Sequence, residues 1–329
     1  MKSHALRNRQ SGFILVVVLG LVLLLAAFLF AFNHTALTKL EAAESFQGFE
    51  QAWNCARAGL SIAVAAVRDA NDFSNDPHLA KLRTGQAEFP VGEGTCSIRI
   101  AGESGRLNIN RLKDKDGRLD RTRIEQLLRL IDLVNRQNPD SQRIGYGLAP
   151  ALIDWTDNDD EVTQLPFIGR DNHGAENHHY SQLTPAYRCK NRPMDTIEEL
   201  RWVKGVTPEA FKRLRDLLTT TGDGLININT APKPMLECLS EQMDPILSRM
   251  IVERRELKPF KNVAELKDVP GMTDNVYREI KDTITTSPTE QHYRVCSHGK
   301  AGEQICKIEA LLRRNTRTGN VDIILYRES

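Results

Sequence analysis

Arg9-Gln10-Ser11-Gly12-Phe13-Ile14-Leu15 opens the stretch that decides how this chain is built. From Phe13 to Phe32 twenty residues pass without a charge, enough apolar helix to cross a bilayer. Lys2, Arg7 and Arg9 precede the span, and basic flanks stay on the cytoplasmic side. Everything after Asn33 is therefore expected across the membrane. A cleaved secretory signal fits less well, because the apolar core is too long and no small-x-small site follows it. The helix is expected to continue. Leu37, Leu40, Phe46, Phe49, Trp53, Ala56, Leu60, Ala63 and Val67 recur at helical spacings, with charged residues between them. No proline interrupts from Phe13 to Asp76, which predicts one helix of about 55 residues. Its second half needs a partner surface, and a sheet is the natural one.

Strand signals begin near Ala87 and run through Cys96-Ser97-Ile98-Arg99-Ile100 to Leu107-Asn108-Ile109-Asn110. They resume only at His292–Cys296, Gln304–Arg313 and Val321–Arg327, with turns expected at Ser297–Gly302 and Thr318-Gly319-Asn320. The class is α+β: a long N-terminal transmembrane helix packed on an antiparallel sheet that is split by a large helical insertion. The expected segments are a leader 1–12, the span 13–32, a helix with first strands 33–110, a first insert unit 111–222, a second 223–290, and the last strands 291–329.

The insert contains a degenerate repeat. Ile197-Glu198-Glu199-Leu200-Arg201-Trp202-Val203-Lys204-Gly205-Val206-Thr207 matches Val263-Ala264-Glu265-Leu266-Lys267-Asp268-Val269-Pro270-Gly271-Met272-Thr273. Each copy reads as helix, glycine turn, threonine N-cap, second helix. Leu107-Asn108-Ile109-Asn110 is echoed by Ile226-Asn227-Ile228-Asn229. Measured from the first Asn to the repeated Leu, unit one carries 53 residues more than unit two.

Those extra residues include Asp154-Trp155-Thr156-Asp157-Asn158-Asp159-Asp160-Glu161, five carboxylates in eight positions, and then Gly174-Ala175-Glu176-Asn177-His178-His179-Tyr180. Such a cluster repels itself unless water or a cation screens it. Oxygen ligands suit Ca²⁺, with Asp157, Asp159, Asp160, Glu176 and Asn177 as candidates. A solvated turn with Asp caps is the competing reading. An EF-hand is excluded, and the near miss at Asp114-Lys115-Asp116-Gly117 would put Leu112 and Arg123 at ligand positions. Zinc at His173, His178, His179 and Cys189 is disfavoured, because adjacent histidines do not easily face one tetrahedral ion.

The formal net charge of the 329-residue chain is +1, so there is no basic footprint of a dedicated DNA binder. Six cysteines lie beyond the span and none forms Cys-x-x-Cys. In an oxidising compartment they read as disulfides, with Cys55–Cys96, Cys189–Cys238 and Cys296–Cys306 as the expected pairs. No catalytic constellation is discernible.

The hairpin repeats resemble the tandem helix–hairpin–helix modules of membrane-anchored DNA-uptake receptors, which is the alternative reading. Such modules bind phosphate through a Gly-x-Gly turn. Here Gly205-Val206-Thr207 and Gly271-Met272-Thr273 lack the second glycine, and Glu209 and Asp274 follow.

Taken in order, a wider set of segments resembles the K-type minor pseudopilins of the type II secretion system. It comprises the basic leader ending in Gly12-Phe13, Gly105-Arg106-Leu107-Asn108-Ile109-Asn110, Leu152-Ile153-Asp154-Trp155, Gly174-Ala175-Glu176, Asn191-Arg192-Pro193-Met194, and Ile226-Asn227-Ile228-Asn229-Thr230-Ala231-Pro232. The resemblance implies a pilin-like helix-on-sheet domain with a SAM-like helical insert, and a calcium site near the acidic loop. It implies prepilin-peptidase cleavage between Gly12 and Phe13, which would leave a mature charge of −2. It also implies a non-enzymatic role at the pseudopilus tip, starting or limiting filament assembly for protein export. The partners it implies are the I- and J-type minor pseudopilins, the major pseudopilin and the inner-membrane assembly platform. The setting is the inner membrane of a Gram-negative bacterium, with the C-terminal part in the periplasm. The family's Gly-Ala-Glu-Asp is altered here by Asn177. The fifth mature residue would be Val17 where most pilin-like chains carry Glu, which suits a subunit with no neighbour above it.

Overall fold

The computed structural model describes residues 7–70, 76, 79–114, 116–287 and 291–329, with side chains from Phe13 onward. The start of the leader, residues 1–6, lies outside the described residues, as do the side chains up to Gly12. Helix α1 runs unbroken for 63 residues, Arg7–Asp69, about 95 Å at the rise of an α-helix. Its apolar first half is exposed all round, as a bilayer span requires. A short α2 (Ala80–Thr84) leads to β1 (Ala87–Val91) and β2 (Gly94–Gly102). The chain then leaves the sheet. It makes β3 (Leu107–Asn108), α3 (Arg121–Gln137), α4 (Leu148–Thr156), α5 (Asn177–Tyr180), α6 (Pro208–Leu214) and β4 (Leu218–Thr219). A second unit follows: β5 (Ile226–Asn227), α7 (Lys233–Glu237), α8 (Pro245–Leu257), α9 (Asp274–Ile280) and β6 (Ile284–Thr285). The chain returns as β7 (Gln291–Ala301), β8 (Gln304–Arg314) and β9 (Val321–Glu328).

The main sheet is antiparallel in the order β1-β2-β7-β8-β9, so strands on both sides of the insert are neighbours. α1 lies across it on Ala52, Cys55, Ala56, Leu60, Ala63 and Val67, all buried. The large residues Phe46 and Phe49 precede this seam and stay exposed. Small residues line the seam because the backbones nearly touch. Ser297 Oγ donates to the Ala56 carbonyl at 2.9 Å, and Gly299 lies directly beneath α1. For the same reason β7 runs on through Ser297–Ala301, where the sequence suggested a turn; the small residues there accommodate the helix. Leu107–Asn108 also departs from expectation, pairing in parallel with β4 instead of joining the main sheet.

The repeat is realised atom for atom. Leu107 pairs with Leu218 and Ile226 with Ile284, so each unit closes with a two-residue parallel bridge. Asn110 Nδ2 donates to the Met194 and Thr220 carbonyls, and its Oδ1 accepts from the Met194 amide. Asn229 does the same with Phe260 and Thr286. Thr207 and Thr273 cap α6 and α9 through the amides of Ala210 and Val276. The element before each glycine turn is 3₁₀ rather than α: Ile197–Trp202 and Val263–Asp268.

One buried carboxylate joins insert to sheet. Glu103, just past β2, accepts from Arg106 Nη1 at 2.5 Å, from Arg294 Nη2 at 3.2 Å and from Thr219 Oγ1 at 2.6 Å, with Arg294 Nε in ion-pair contact at 3.2 Å. Its amide donates to the His292 carbonyl at 2.9 Å, which brings the exit and return of the insert together.

The expected disulfides are not formed, and all six cysteines are free thiols. For Cys296 and Cys306 the register explains why. Cys296 opposes Glu309 and Cys306 opposes Gly299, so Cys306 faces α1 while Cys296 lies on the other face. Cys189 is held against the Asp154 carbonyl, whereas Cys238 sits beside Arg129 of α3, in a different neighbourhood. Cys55 and Cys96 do share the helix–sheet seam, as reduced side chains.

Gly299→Ala tests the seam. A Cβ there would lie 2.0 Å from the Ala52 carbonyl oxygen and 2.3 Å from the Ala56 nitrogen, and backbone cannot swing aside. The expected cost is about 1–3 kcal/mol, read as a melting temperature several degrees lower. An unchanged melting temperature would contradict this packing.

Candidate functional site: the acidic cluster

α4 is apolar over Leu148–Ile153 and almost wholly buried, and it delivers Asp154 into the interior with Asp157 one turn later. The segment beyond turns back, where Gly174-Ala175-Glu176 passes close to Asp154. A Cβ on Gly174 would fall 2.0 Å from Asp154 Oδ2, so only glycine allows that approach. One carboxylate oxygen from each of Asp154, Asp157 and Glu176 lies within 4.8 Å of the others.

Two of the six oxygens of these carboxylates are satisfied within the protein. Asp154 Oδ1 accepts from the Thr163 amide at 2.9 Å, and Asp157 Oδ2 accepts from Lys113 Nζ at 2.6 Å. The other atoms, Asp154 Oδ2, Asp157 Oδ1 and both Glu176 oxygens, are buried without a hydrogen-bond donor, and so is Asn191 Oδ1. Burial, then repulsion from Asp154 and Asp157, pushes the Glu176 carboxyl up to about 8. Burial also raises Asp154 and Asp157, with Lys113 pulling both back. Orphaned oxygens aimed inward, with one lysine for three carboxylates, fit a hard divalent cation such as Ca²⁺.

Of the five candidates from sequence, Asp157 and Glu176 are in this cluster. Asp159, Asp160 and Asn177 are displaced from it because they brace the loop instead. Asp159 Oδ1 accepts from the Glu161 amide at 2.9 Å. Asp160 Oδ1 accepts from Asn177 Nδ2 at 2.5 Å and from Asn191 Nδ2 at 3.2 Å. Asn177 Oδ1 accepts from the Cys189 amide at 2.9 Å. Asp154 and Asn191 were not singled out as ligands. The three-residue step from Asp154 to Asp157 at the end of a buried helix was the available signal for the first. For Asn191, held at φ 49°, there was none.

Aromatic packing backs the cluster. Trp155 meets Tyr180 edge-on at 5.1 Å and Tyr180 lies 5.2 Å from Tyr187. Tyr180 Oη accepts from the Lys204 amide at 3.2 Å, and Lys204 Nζ donates to the Gly174 carbonyl at 3.1 Å. The glycine turn of the first hairpin therefore serves the acidic loop. In the second hairpin Lys267 pairs with Asp274 at 3.3 Å. The lysines on which duplex binding would depend are thus engaged within the chain.

Comparison with known proteins agrees with this architecture. The family described as "Type II secretion system (T2SS), protein K" matches residues 105–223, and the helix-hairpin-helix motif matches residues 223–285. The type II secretion system protein K of Pseudomonas aeruginosa is 27% identical over 266 residues, 78% of this chain and 76% of that protein. Its counterpart in Aeromonas hydrophila is 27% identical over 68% of each chain. A chain of the GspK-GspI-GspJ complex of the enterotoxigenic Escherichia coli type 2 secretion system shares the fold. The TM-score is 0.67 at 17% identity, over 88% of this chain and 99% of that one. The split sheet, the doubled hairpin unit and these relatives lead to one conclusion: the chain carries the type II secretion system protein K domain over residues 105–223 and is similar to protein K over about three quarters of its length.

Proposed function

We propose that this chain caps the type II secretion pseudopilus as its tip subunit. In that role it would be structural rather than enzymatic, starting or limiting filament assembly during protein export. It would cross the inner membrane once through α1 and hold its globular part in the periplasm. The observation that carries this reading is α1 itself: an apolar helix that continues past the span with Leu37, Leu40, Phe46 and Phe49 exposed before it meets its own sheet. Neighbouring pseudopilin helices are the natural cover for that surface. The I- and J-type minor pseudopilins are the proposed partners, since the structural relative comes from a GspK-GspI-GspJ complex. The major pseudopilin, the prepilin peptidase and the assembly platform complete the set. Phe46→Glu and Phe49→Glu should reduce recovery of the I- and J-type partners at least severalfold while leaving the globular part folded. Full recovery with both variants would contradict the role given to this surface.

We further propose that Asp154, Asp157 and Glu176, with the Asn191 amide oxygen, hold a calcium ion. The ion supplies the positive charge that the orphaned oxygens lack. Sites of extracellular type bind at about 10⁻⁴–10⁻³ M. At tenfold excess over Kd, binding to the folded form adds about 1.4 kcal/mol, a shift of a few degrees in melting. The pH dependence follows from Glu176. Its folded pKa lies above the unfolded one, so the metal-free fold keeps a proton that the unfolded chain releases. That contribution is complete on the acid side of the ordinary carboxyl range and is lost as pH rises through about 8. The melting temperature in EGTA should therefore fall between pH 5 and 8, while the calcium-induced shift grows. Glu176→Gln should flatten the EGTA profile and remove the calcium shift, and Asp116→Ala should do neither. Equal melting in EGTA and in millimolar calcium at pH 8 would refute the site.

A further inference from the structure

A second charged feature lies on the other side of the insert. Between the outer face of the sheet and the helical insert, lined by the end of its first unit and by its second unit, is a cleft of about 710 Å³. Seven arginine and lysine side chains line it against two carboxylates, Asp216 and Glu309, in a chain whose overall charge is only +1. The internal pairing is incomplete. Arg106 is committed to Glu103, and Arg294 to Glu103 and, at 3.7 Å, to Asp216. Arg215 and Lys307 share the single carboxylate of Glu309, at 3.6 and 2.6 Å. Arg99 and Arg255 make no ion pair among the described residues. Arg255 donates instead to the carbonyls of Ile228 and Ala231, both at 2.7 Å. Burial disfavours the charged form of both Arg106 and Arg255; at Arg106 the attraction of Glu103 and Asp216 works against it, and repulsion from Arg294 and Arg99 adds to it. Cations crowded in this way gain from an anionic occupant.

The cleft wall also has a backbone component. The β1 ladder on β2 ends where Ala87 meets Ile98, so Arg99–Gly102 are paired only on the β7 side. That same stretch lines the cleft. An extended chain laid there finds main-chain partners on one side and guanidinium groups around it, which match carboxylates in bidentate geometry. We propose that this cleft docks an extended acidic peptide segment of a partner protein. Its walls come from both halves of the molecule, so an occupant would bridge the sheet and the insert.

The test uses the full chain in detergent micelles and a fluorescently labelled hexaglutamate peptide, followed by anisotropy. The expected result is saturable binding that weakens as salt rises from 50 to 300 mM. Arg99→Glu should weaken it at least tenfold, and Arg99→Gln, the milder change should the reversal perturb folding, by a smaller factor. Arg249→Glu, on the exposed surface of α8, should leave it unchanged. Absence of saturable binding would overturn the proposal, as would equal loss in Arg249→Glu. Displacement of the peptide by inorganic pyrophosphate at matched charge would also overturn it, by assigning a simple oxyanion pocket.

Discussion

Everything in the globular part depends on the Glu103 carboxylate. It sits where the chain leaves the sheet, and its partners are Arg106 just beyond, Thr219 at the end of the first insert unit, and Arg294 on the strand after the second. One buried group thus joins segments nearly two hundred residues apart. The second unit presses against the same exit: the Asn227 amide donates to the Ser104 carbonyl at 2.8 Å, and Gly105 leaves no room for a Cβ against the backbone of Thr230 and Ala231. Removing one partner from such a buried pair costs about 3–5 kcal/mol, because the remaining charge is stranded. The insert is therefore held in one orientation on the sheet.

The acidic cluster works by the opposite logic. Around Glu103 every oxygen has a donor, whereas around Glu176 the oxygens have none. Folding brings three carboxylates together at the junction of α4 and the returning Gly174–Glu176 segment and supplies one lysine. A network left this incomplete destabilises the fold unless something external completes it. The aromatic stack behind it and Lys204 connect that condition to the first hairpin. The hairpin geometry is thereby given a use that needs no nucleic acid.

Periodic features were legible in the sequence, because periodicity is local. The span, the long helix and the doubled unit could all be read, and the repeated asparagines proved to be Asn110 and Asn229 in equivalent bonds. Asp157 and Glu176 were also visible as part of an acidic concentration. What was hidden depended on chain segments meeting across the fold. Ser297 and Gly299 resemble turn residues, but they are small because α1 lies on them. Cys296 and Cys306 suggest a cross-hairpin bridge until the register puts them on opposite faces. Asp159 and Asp160 carry as much charge as Asp157, yet hydrogen bonds within the loop turn them to bracing.

The proposed role rests on a helix with an exposed apolar face and on a bulky insert. A pseudopilin carrying an insert of this size is hard to place within a filament, where subunits stack above and below, and easy to place at its end. The most direct measurement is imaging of pseudopili assembled with this chain bearing a gold-reactive tag at its C-terminus. One label per filament, at one end, is the expected result. Labels distributed along the filament length would contradict it.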